Sequence, residues 1–288
     1  MKYQFIKKYR SQFSVKEMCH VLQTSRSGYY RWLKNPKSNR TIENEKLLNE
    51  IIEEYEASNG IYGSPKITVE LKKKGIKCSR PRVARLMRKN NIRSKTVKKF
   101  VRTTDSNHTN RIASNLVDQN FYAHSPNCLW LSDITYIKTS NGWLYLAVVM
   151  DVYSRKIIGW SMDTHLRSSL VINALKDALS KRRPSENLVF HSDRGVQYTS
   201  DDFLKLLKKH SIIQSMSGKG NCYDNAMMES FFGQLKKELV YLTKYNNQFD
   251  ARQDIFKYIE VFYNRKRIHS AIDYKSPVQF ETITRNEV

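Results

Sequence analysis

The chain has 288 residues and is strongly basic, with 50 lysines and arginines against 27 acidic residues and a net charge of +23 at pH 7. This length allows about two domains, and a hydrophobic fraction of 40% supplies enough apolar surface for a core, which excludes a wholly disordered chain. The longest uncharged apolar run, residues 144–150, is far shorter than the ~20 residues that cross a bilayer, so no membrane partner is expected. The four cysteines form no C-x-x-C pair, which excludes common zinc-site spacings and favours a reduced, cytoplasmic location.

The positive charge is concentrated in the first part of the chain. Residues 1–112 contain 27 Lys and Arg against 9 Asp and Glu, a net charge of +18, whereas residues 113–288 contain 23 against 18. An excess of this size on about 110 residues is typical of a protein that binds a polyanion. Since solubility alone does not require the excess to lie in one half, nucleic acid is the expected partner.

Short helices are predicted throughout this basic part. Ser14-Val-Lys-Glu17 has the form of a capping box, and a second short helix follows Ser25, so residues 1–60 are predicted to contain a helix-turn-helix. Residues 61–96 are predicted to form another, in which Gly75 ends one helix and Pro81 opens the next. Four basic side chains on that last helix lie outside its apolar stripe and are predicted to contact DNA: Arg82, Arg85, Arg88 and Lys89.

The composition changes after a polar, aperiodic stretch over residues 97–125, which is predicted to be a linker. In residues 126–288, three apolar runs with short joints predict an antiparallel meander, and helices that alternate with strands follow. This order predicts an α/β fold with a mixed sheet covered by helices on both faces. It is the element order of the ribonuclease-H-like fold.

Three carboxylates in this second part carry the prediction of chemistry. Asp133 lies in the middle of an apolar run that reads as a buried strand, where an ionised group is costly unless it is compensated. Asp193 directly follows another strand, at the edge where α/β proteins commonly form their sites. Glu229 lies on a helix, and the helical period places Asn225 and Lys236 on the same flank. Singly, each carboxylate would more often be a cap or a solvated residue, so only the combination predicts a site.

A set of three carboxylates without matching His or Cys residues favours hard cations with oxygen ligands, Mg²⁺ or Mn²⁺. Two such ions about 4 Å apart are suited to phosphodiester chemistry. Lys236 is predicted to contact a phosphate oxygen, and Asn225 is a second candidate for DNA contact. Among the other polar residues, Asp151 is predicted to open a turn and His191 to be packed or hydrogen-bonded. The segment Tyr223-Asp-Asn225 is predicted to cap the helix of Glu229, with Asp224 as its N-cap.

The resemblance to a known family becomes specific at these residues. Asp193 and Glu229 are separated by 35 residues, the spacing of the retroviral-integrase-like transposase superfamily with its Asp-Asp-Glu triad. The surrounding sequence resembles the second-frame transposase of the bacterial IS-three insertion sequences in four stretches: 130–137, 191–200, 224–238 and 267–277. The likeness covers the second half of the chain almost end to end, and residues 62–95 resemble the family's upstream helix-turn-helix.

The resemblance implies a function and a set of roles. Asp133, Asp193 and Glu229 would bind two metal ions, and Lys236 would contact the donor end of the DNA. The enzyme would cut at the transposon end and join the freed 3′-hydroxyl to target DNA, as a homo-oligomer on DNA and with a first-frame protein fused to it or associated with it. A nuclease of the same fold that cuts without joining and a regulator that only binds the ends remain as alternatives.

Overall fold

The computed structural model describes residues 1–34, 37–95, 112–184, 186–218 and 222–286. The chain divides into two compact units, residues 1–93 and 94–288. Most of the predicted linker, residues 97–111, lies outside the described residues. Among the residues described, no helix is both long enough and apolar enough to cross a membrane.

The first unit begins with three short helices that share a small core. These helices are α1 (Lys2–Tyr9), α2 (Val15–Val21) and α3 (Arg26–Lys34). Their buried side chains are Ile6, Met18, Cys19 and Tyr29. Ser25 begins α3, because its Oγ accepts a hydrogen bond from the Gly28 amide at 3.0 Å. Helix, turn and helix in α2 and α3 give the order predicted for this segment.

Three further helices complete the first unit. They are α4 (Asn39–Ala57), α5 (Ser64–Lys73) and α6 (Arg80–Lys89). Each contacts the other two, and their shared apolar side chains are Leu47, Ile51, Ile67, Leu71, Val83 and Met87. Gly75 follows α5 with a φ of +80°, which glycine adopts without strain, and the Ser79 side chain caps α6.

The second unit is built on a five-stranded mixed sheet. Its strands are β1 (Leu129–Thr139), β2 (Gly142–Asp151), β3 (Lys156–Asp163), β4 (Val189–Ser192) and β5 (Ile213–Met216). The strand order is β3-β2-β1-β4-β5; the first three strands pair antiparallel, and β4 and β5 join them in parallel. The predicted meander and the α/β fold class are confirmed.

Helices cover both faces of this sheet. They are α7 (Ser168–Lys181), α8 (Asp201–Lys209), α9 (Ala226–Glu238), α10 (Gln248–Phe256) and α11 (Pro277–Asn286). On β3, a Cβ at Gly159 would collide with the carbonyl oxygen of Ala174 in α7, so this strand and helix pack at close range. The next residue, Trp160, points to the opposite face and contacts Phe256 of α10.

The last helix is tied to the rest of the second unit by a buried carboxylate. Glu281 in α11 accepts hydrogen bonds from Arg182 Nη2 at 2.5 Å, from Ser154 Oγ at 2.7 Å and from Lys156 Nζ at 3.2 Å. Burial alone would raise the pKa of Glu281, but Arg182 and the other donors lower it below its usual value. The interaction of Glu281 with Arg182 therefore stabilises the fold fully when the pH is above the ordinary pKa of a glutamate. This stabilisation is lost as the pH falls through the lowered pKa of Glu281.

Candidate active site

The first predicted carboxylate lies where β1 loses one of its neighbours. Asp133 pairs with Val148 of β2 on one side, but β4 pairs only with residues 129–131 of β1. The other edge of β1 is therefore not covered by β4 at Asp133. The Asp133 Oδ1 atom accepts a hydrogen bond from the Ile134 amide at 2.7 Å.

The second carboxylate follows from the parallel register of β1 and β4. Leu131 is paired with His191, so a continuation of this register by two residues places Asp193 beside Asp133. Neighbouring strands lie about 4.8 Å apart, which brings the two carboxyl groups close together. The Asp193 Oδ1 atom accepts a hydrogen bond from the Gly195 amide at 3.0 Å, which holds the turn after β4.

The third carboxylate is carried by α9, which packs against β1. Glu229 lies in the first turn of this helix and its side chain is exposed. Asn225 begins the helix, and its Nδ2 donates a hydrogen bond to the Ser132 carbonyl oxygen at 3.3 Å. This contact joins the start of α9 to the residue directly before Asp133.

The electrostatics show that these groups influence one another. Burial raises the pKa of Asp133 well above its usual value, and the nearby charges of Asp193 and then Glu229 raise it further. Partial burial also raises the pKa of Glu229. The positive charge of Lys236 lowers the pKa of Asp133, and burial lowers the pKa of Lys236 itself. The site therefore concentrates negative charge that a bound cation would offset.

The three carboxylates are not yet arranged as a complete set of ligands. In the part of the chain that the structure describes, no three His, Cys, Asp or Glu side chains are grouped closely enough to hold a metal ion. Glu229 has the longest and most exposed side chain of the three, so it has solvent space in which to turn toward the aspartates. Neighbouring His191 is unsuited as a ligand, since both ring nitrogens already hydrogen-bond with Ser215 and Ser217 at 2.9 and 3.2 Å.

Lys236 is held against the sheet by an aromatic side chain that the sequence did not single out. Its Nζ lies 5.1 Å from the centre of the Tyr136 ring, and Trp143 packs edge-on against that ring with centroids 5.1 Å apart. Tyr136 occurs in an ordinary aromatic-rich strand, and nothing in its spacing distinguishes it from a packing residue. Its role follows only from the position of α9.

Two other acidic residues have structural roles. The carboxyl oxygens of Asp151 accept hydrogen bonds from the amides of Asn127 and Tyr153, as expected of a residue that opens a turn; burial raises its pKa to about 6. The prediction that Asp224 is the N-cap of α9 is wrong, because the N-cap is the next residue, Asn225. A 3₁₀ turn over Cys222–Asn225 runs directly into the helix, and Asp224 accepts hydrogen bonds from Gly218 and Asn115 instead.

The predicted DNA contacts on α6 differ in their surroundings. Arg85, Arg88 and Lys89 are exposed. Arg82 is half-buried and is engaged within its own unit, where Nε donates to Asn44 at 2.9 Å and Nη2 lies 3.3 Å from Glu43. No acidic residue lies within α6, so the charges that this helix exposes are all positive.

Comparison with known proteins assigns the two units. The family model of an integrase core domain matches residues 123–222, another model of the integrase core domain matches residues 229–284, and that of an HTH-like domain matches residues 42–100. A solved structure of the HTLV-2 integrase catalytic core domain in complex with magnesium aligns with 56% of this chain and 99% of its own, at 18% identity and a TM-score of 0.44.

Relatives match over nearly the full length. The transposase InsF for insertion sequence IS3A of Escherichia coli K12 is 41% identical over 283 residues, which are 98% of either chain. An insertion element IS600 uncharacterized 31 kDa protein of Shigella sonnei is 42% identical over 263 residues, 91% of this chain and 97% of its own. This chain therefore belongs to the IS3 family of transposases, DNA-binding enzymes with a DDE-type integrase core.

Proposed function

We propose that this transposase cuts the 3′ ends of an insertion sequence and joins them to target DNA, with Asp133, Asp193 and Glu229 as its catalytic, metal-binding residues. The observation that carries this proposal is the parallel register of β1 and β4, which leads Asp193 to Asp133, with Glu229 near enough on α9 for its charge to raise the pKa of Asp133. Close like charges are costly without a counter-ion, and a divalent cation supplies one. This pattern is more readily explained by a cation site than by packing.

The donor set fits Mg²⁺ or Mn²⁺. All three side chains offer hard oxygen ligands, and the nearby histidine is occupied by hydroxyl groups. We propose two ions per site, which when bound would activate the attacking oxygen and stabilise the leaving oxygen of an in-line displacement. Asp133 and Asp193 would hold them from the sheet, and Glu229 would close the site from α9.

The reaction has two steps that balance without ATP. In the first, the oxygen of water forms a bond to phosphorus at the element end, the bond to the 3′ oxygen breaks, and that oxygen leaves as a hydroxyl. In the second, the 3′ oxygen attacks a phosphodiester of the target and displaces the target's own 3′ oxygen. One phosphodiester is formed for each one broken in this second step, so no external energy source is needed.

Two side chains beside the carboxylates are proposed to position DNA. Lys236, supported by Tyr136, would place its charge on a non-bridging phosphate oxygen of the donor end. The Oδ1 atom of Asn225 is buried and, among the described residues, accepts no hydrogen bond. A buried acceptor without a donor is costly, so we propose that Asn225 accepts a hydrogen bond from the bound DNA.

Binding of DNA outside the active site is proposed for the first unit. Residues 1–34 contain eight lysines and arginines and one acidic residue, and the exposed side of α3 includes Arg26, Tyr30 and Arg31. The exposed side of α6 carries Arg85, Arg88 and Lys89. We propose that both α3 and α6 are recognition helices, which contact phosphates and base edges in the major groove.

Substitution of the exposed arginines of α6 should weaken DNA binding, because fewer phosphates are then neutralised. We expect Arg85→Ala/Arg88→Ala to lower affinity for element-end DNA by roughly tenfold or more and to reduce the slope of log K against log salt by about 0.9 for each phosphate that is no longer neutralised. Fluorescence anisotropy over a salt series measures both quantities. Arg82→Ala is the matched control, and we expect a smaller loss because its guanidinium is already paired with Glu43 and Asn44. An unchanged salt slope in the double variant would contradict the role of α6.

The joining reaction tests the proposed function against its alternatives. With Mg²⁺ and DNA that carries the element ends, we expect the protein, fused to its first-frame partner where needed, to produce strand-transfer products on a gel. Cleavage without joined products would favour a nuclease of the same fold. Sequence-specific binding without either reaction, under Mg²⁺ and under Mn²⁺, would favour a regulator.

The proposed assembly follows from the chemistry of two DNA ends. Both ends of an element must be cut and joined together, so we propose a homo-oligomer on DNA in which more than one active site takes part. A first-frame protein, fused or associated, is proposed to contribute to end recognition. Because the substrate is cellular DNA, the cytoplasm is the proposed location.

A further inference from the structure

We infer that Asn115 and Asp224 form a clasp that positions the active-site end of α9, and that the catalytic unit therefore depends on residues 114–116, ahead of the matched integrase core. The inference rests on the proposed function, because it assigns Glu229 and Asn225 to the reaction. It concerns positioning residues, which act through α9 and do not touch the reacting atoms. The integrase core match begins only at residue 123, and the sequence alone places Asn115 in a linker.

The clasp is a buried hydrogen-bond junction between distant segments. The Asp224 side chain is fully buried, and its Oδ2 atom accepts hydrogen bonds from the Gly218 amide at 2.6 Å and from Asn115 Nδ2 at 3.0 Å. Asp224 thus ties the end of the segment after β5 to the residue directly before Asn225. A buried carboxyl group is expensive to leave without donors, so these contacts have a strong energetic reason to persist.

Asn115 is itself held in place. Its Oδ1 atom accepts hydrogen bonds from the amides of Val117 and Asp118, at 3.2 and 3.0 Å, which fixes the side chain in a local turn. The Leu116 amide donates to Ser215 Oγ at 2.9 Å, and the Met216 amide donates to the Ser114 carbonyl oxygen at 3.4 Å. Residues 114–116 therefore run along β5 and present the Asn115 amide group to Asp224 from a fixed support.

The same junction reaches the strands of both catalytic aspartates. Ser217, next to Gly218, donates from its amide to the Ser192 carbonyl oxygen at 3.0 Å, directly before Asp193. Asn225, next to Asp224, donates to the carbonyl oxygen of Ser132, directly before Asp133. The clasp therefore connects the residues directly before Asp133 and Asp193 with the start of α9, the helix that carries Glu229.

The two ends of α9 are secured in different ways. Its far end is held by an ion pair between Glu238 and Arg267, with Nη2 and Oε1 2.6 Å apart. Near Glu229, the polar anchors of the helix are Asp224 and Asn225. A small shift of a catalytic group can cost as much as about a hundredfold in rate. Loss of the clasp should therefore reduce catalysis even in a variant that remains folded.

The substitution Asn115→Asp isolates the clasp. An aspartate keeps the oxygen that accepts from Val117 and Asp118 but replaces the donor by a second carboxyl group facing Asp224. We expect a roughly tenfold to hundredfold loss of end cleavage in the full-length protein, and faster hydrogen–deuterium exchange in the first two turns of α9. The melting temperature should also fall by several degrees, because the buried Asp224 carboxyl group loses a donor, but the variant should remain folded at the assay temperature. Asn247→Asp, the same change at the N-cap of α10, is the matched control and should alter none of these quantities.

The variant Asn115→Ala removes the donor to Asp224 without adding a charge. The Gly218 amide still donates to Asp224 Oδ2, so we expect this variant to fold and to show the same two changes, lower end cleavage and faster exchange in the first two turns of α9. The inference is overturned if Asn115→Asp cleaves like wild type, or if both variants lower only the melting temperature. A failure of the proposed function would differ, because wild type itself would then show no metal-dependent cleavage.

Discussion

Asp193→Asn should abolish both end cleavage and strand transfer, with a loss of at least about a thousandfold, while DNA binding stays within about twofold of wild type. The asparagine can still accept the hydrogen bond from the Gly195 amide, so the turn after β4 is retained. What is removed is a negatively charged oxygen beside Asp133, which in the proposed function is a ligand of the metal ions. Gel assays with Mg²⁺ measure the two reactions, and anisotropy measures binding.

A matched exchange at a remote aspartate controls for general effects of the substitution. Asp202 lies in the first turn of α8, with a side chain that is 78% exposed, and Asp202→Asn should cleave and join like wild type. Turnover by Asp193→Asn at more than a few per cent of the wild-type rate would remove Asp193 from the metal site. Equal losses in both variants would instead indicate that the assay responds to charge or folding.

Glu238→Ala should destabilise the second unit by about 3–5 kcal/mol, because it leaves a buried arginine without its counter-charge. Glu238 accepts hydrogen bonds from Arg267 Nη2 at 2.6 Å, from Arg267 Nε at 2.9 Å and from the Tyr258 hydroxyl at 2.8 Å. Glu238 raises the pKa of Arg267 although burial lowers it, which shows how strongly the pair interacts. In a unit of this size, the expected loss corresponds to a fall in melting temperature of roughly 10 °C, measured by calorimetry.

An exposed ion pair in the same unit gives the comparison. Lys205 Nζ lies 3.7 Å from Asp202 Oδ1, and both side chains are largely solvent-exposed. Asp202→Ala should therefore lower the free energy of unfolding by less than about 1 kcal/mol. A fall of less than about 2 °C for Glu238→Ala would show that the buried pair adds little to stability. Since Glu238 ends α9, such a result would also mean that packing alone secures the far end of this helix.

Patterns within short stretches predicted the fold of the second unit. Three apolar runs with short joints form β1, β2 and β3, because short runs of alternating or continuous apolar residues bury their side chains best as strands of a sheet. The placement of Asp193 directly after β4 was also visible, and the parallel pairing of β4 with β1 then explains why it comes to Asp133. Which strands pair in parallel was not visible in any short stretch.

Prediction failed where a polar residue had both a local and a distant partner available. Asp224 has the residue type and position of a helix cap, but the 3₁₀ turn before α9 leaves it facing Asn115, which is 109 residues away. Asn115 lies in a polar stretch whose composition indicates only a linker. That Arg82 contacts DNA stays a prediction; only the packing of α4 against α6 shows that this arginine also contacts Glu43.

The amino-acid sequence by itself determined the uneven charge of the chain, the order of its helices and strands, and the three acidic residues at the spacing of the family. Charge and periodicity are properties of residues that are near one another along the chain, so they can be recognised without a fold. Only the tertiary structure decided how α9 is held: Asn225 on the carbonyl of Ser132, Lys236 on the ring of Tyr136, and Glu238 on Arg267. These contacts join residues separated by 29 to 100 positions, and their geometry depends on how the whole sheet and its helices pack.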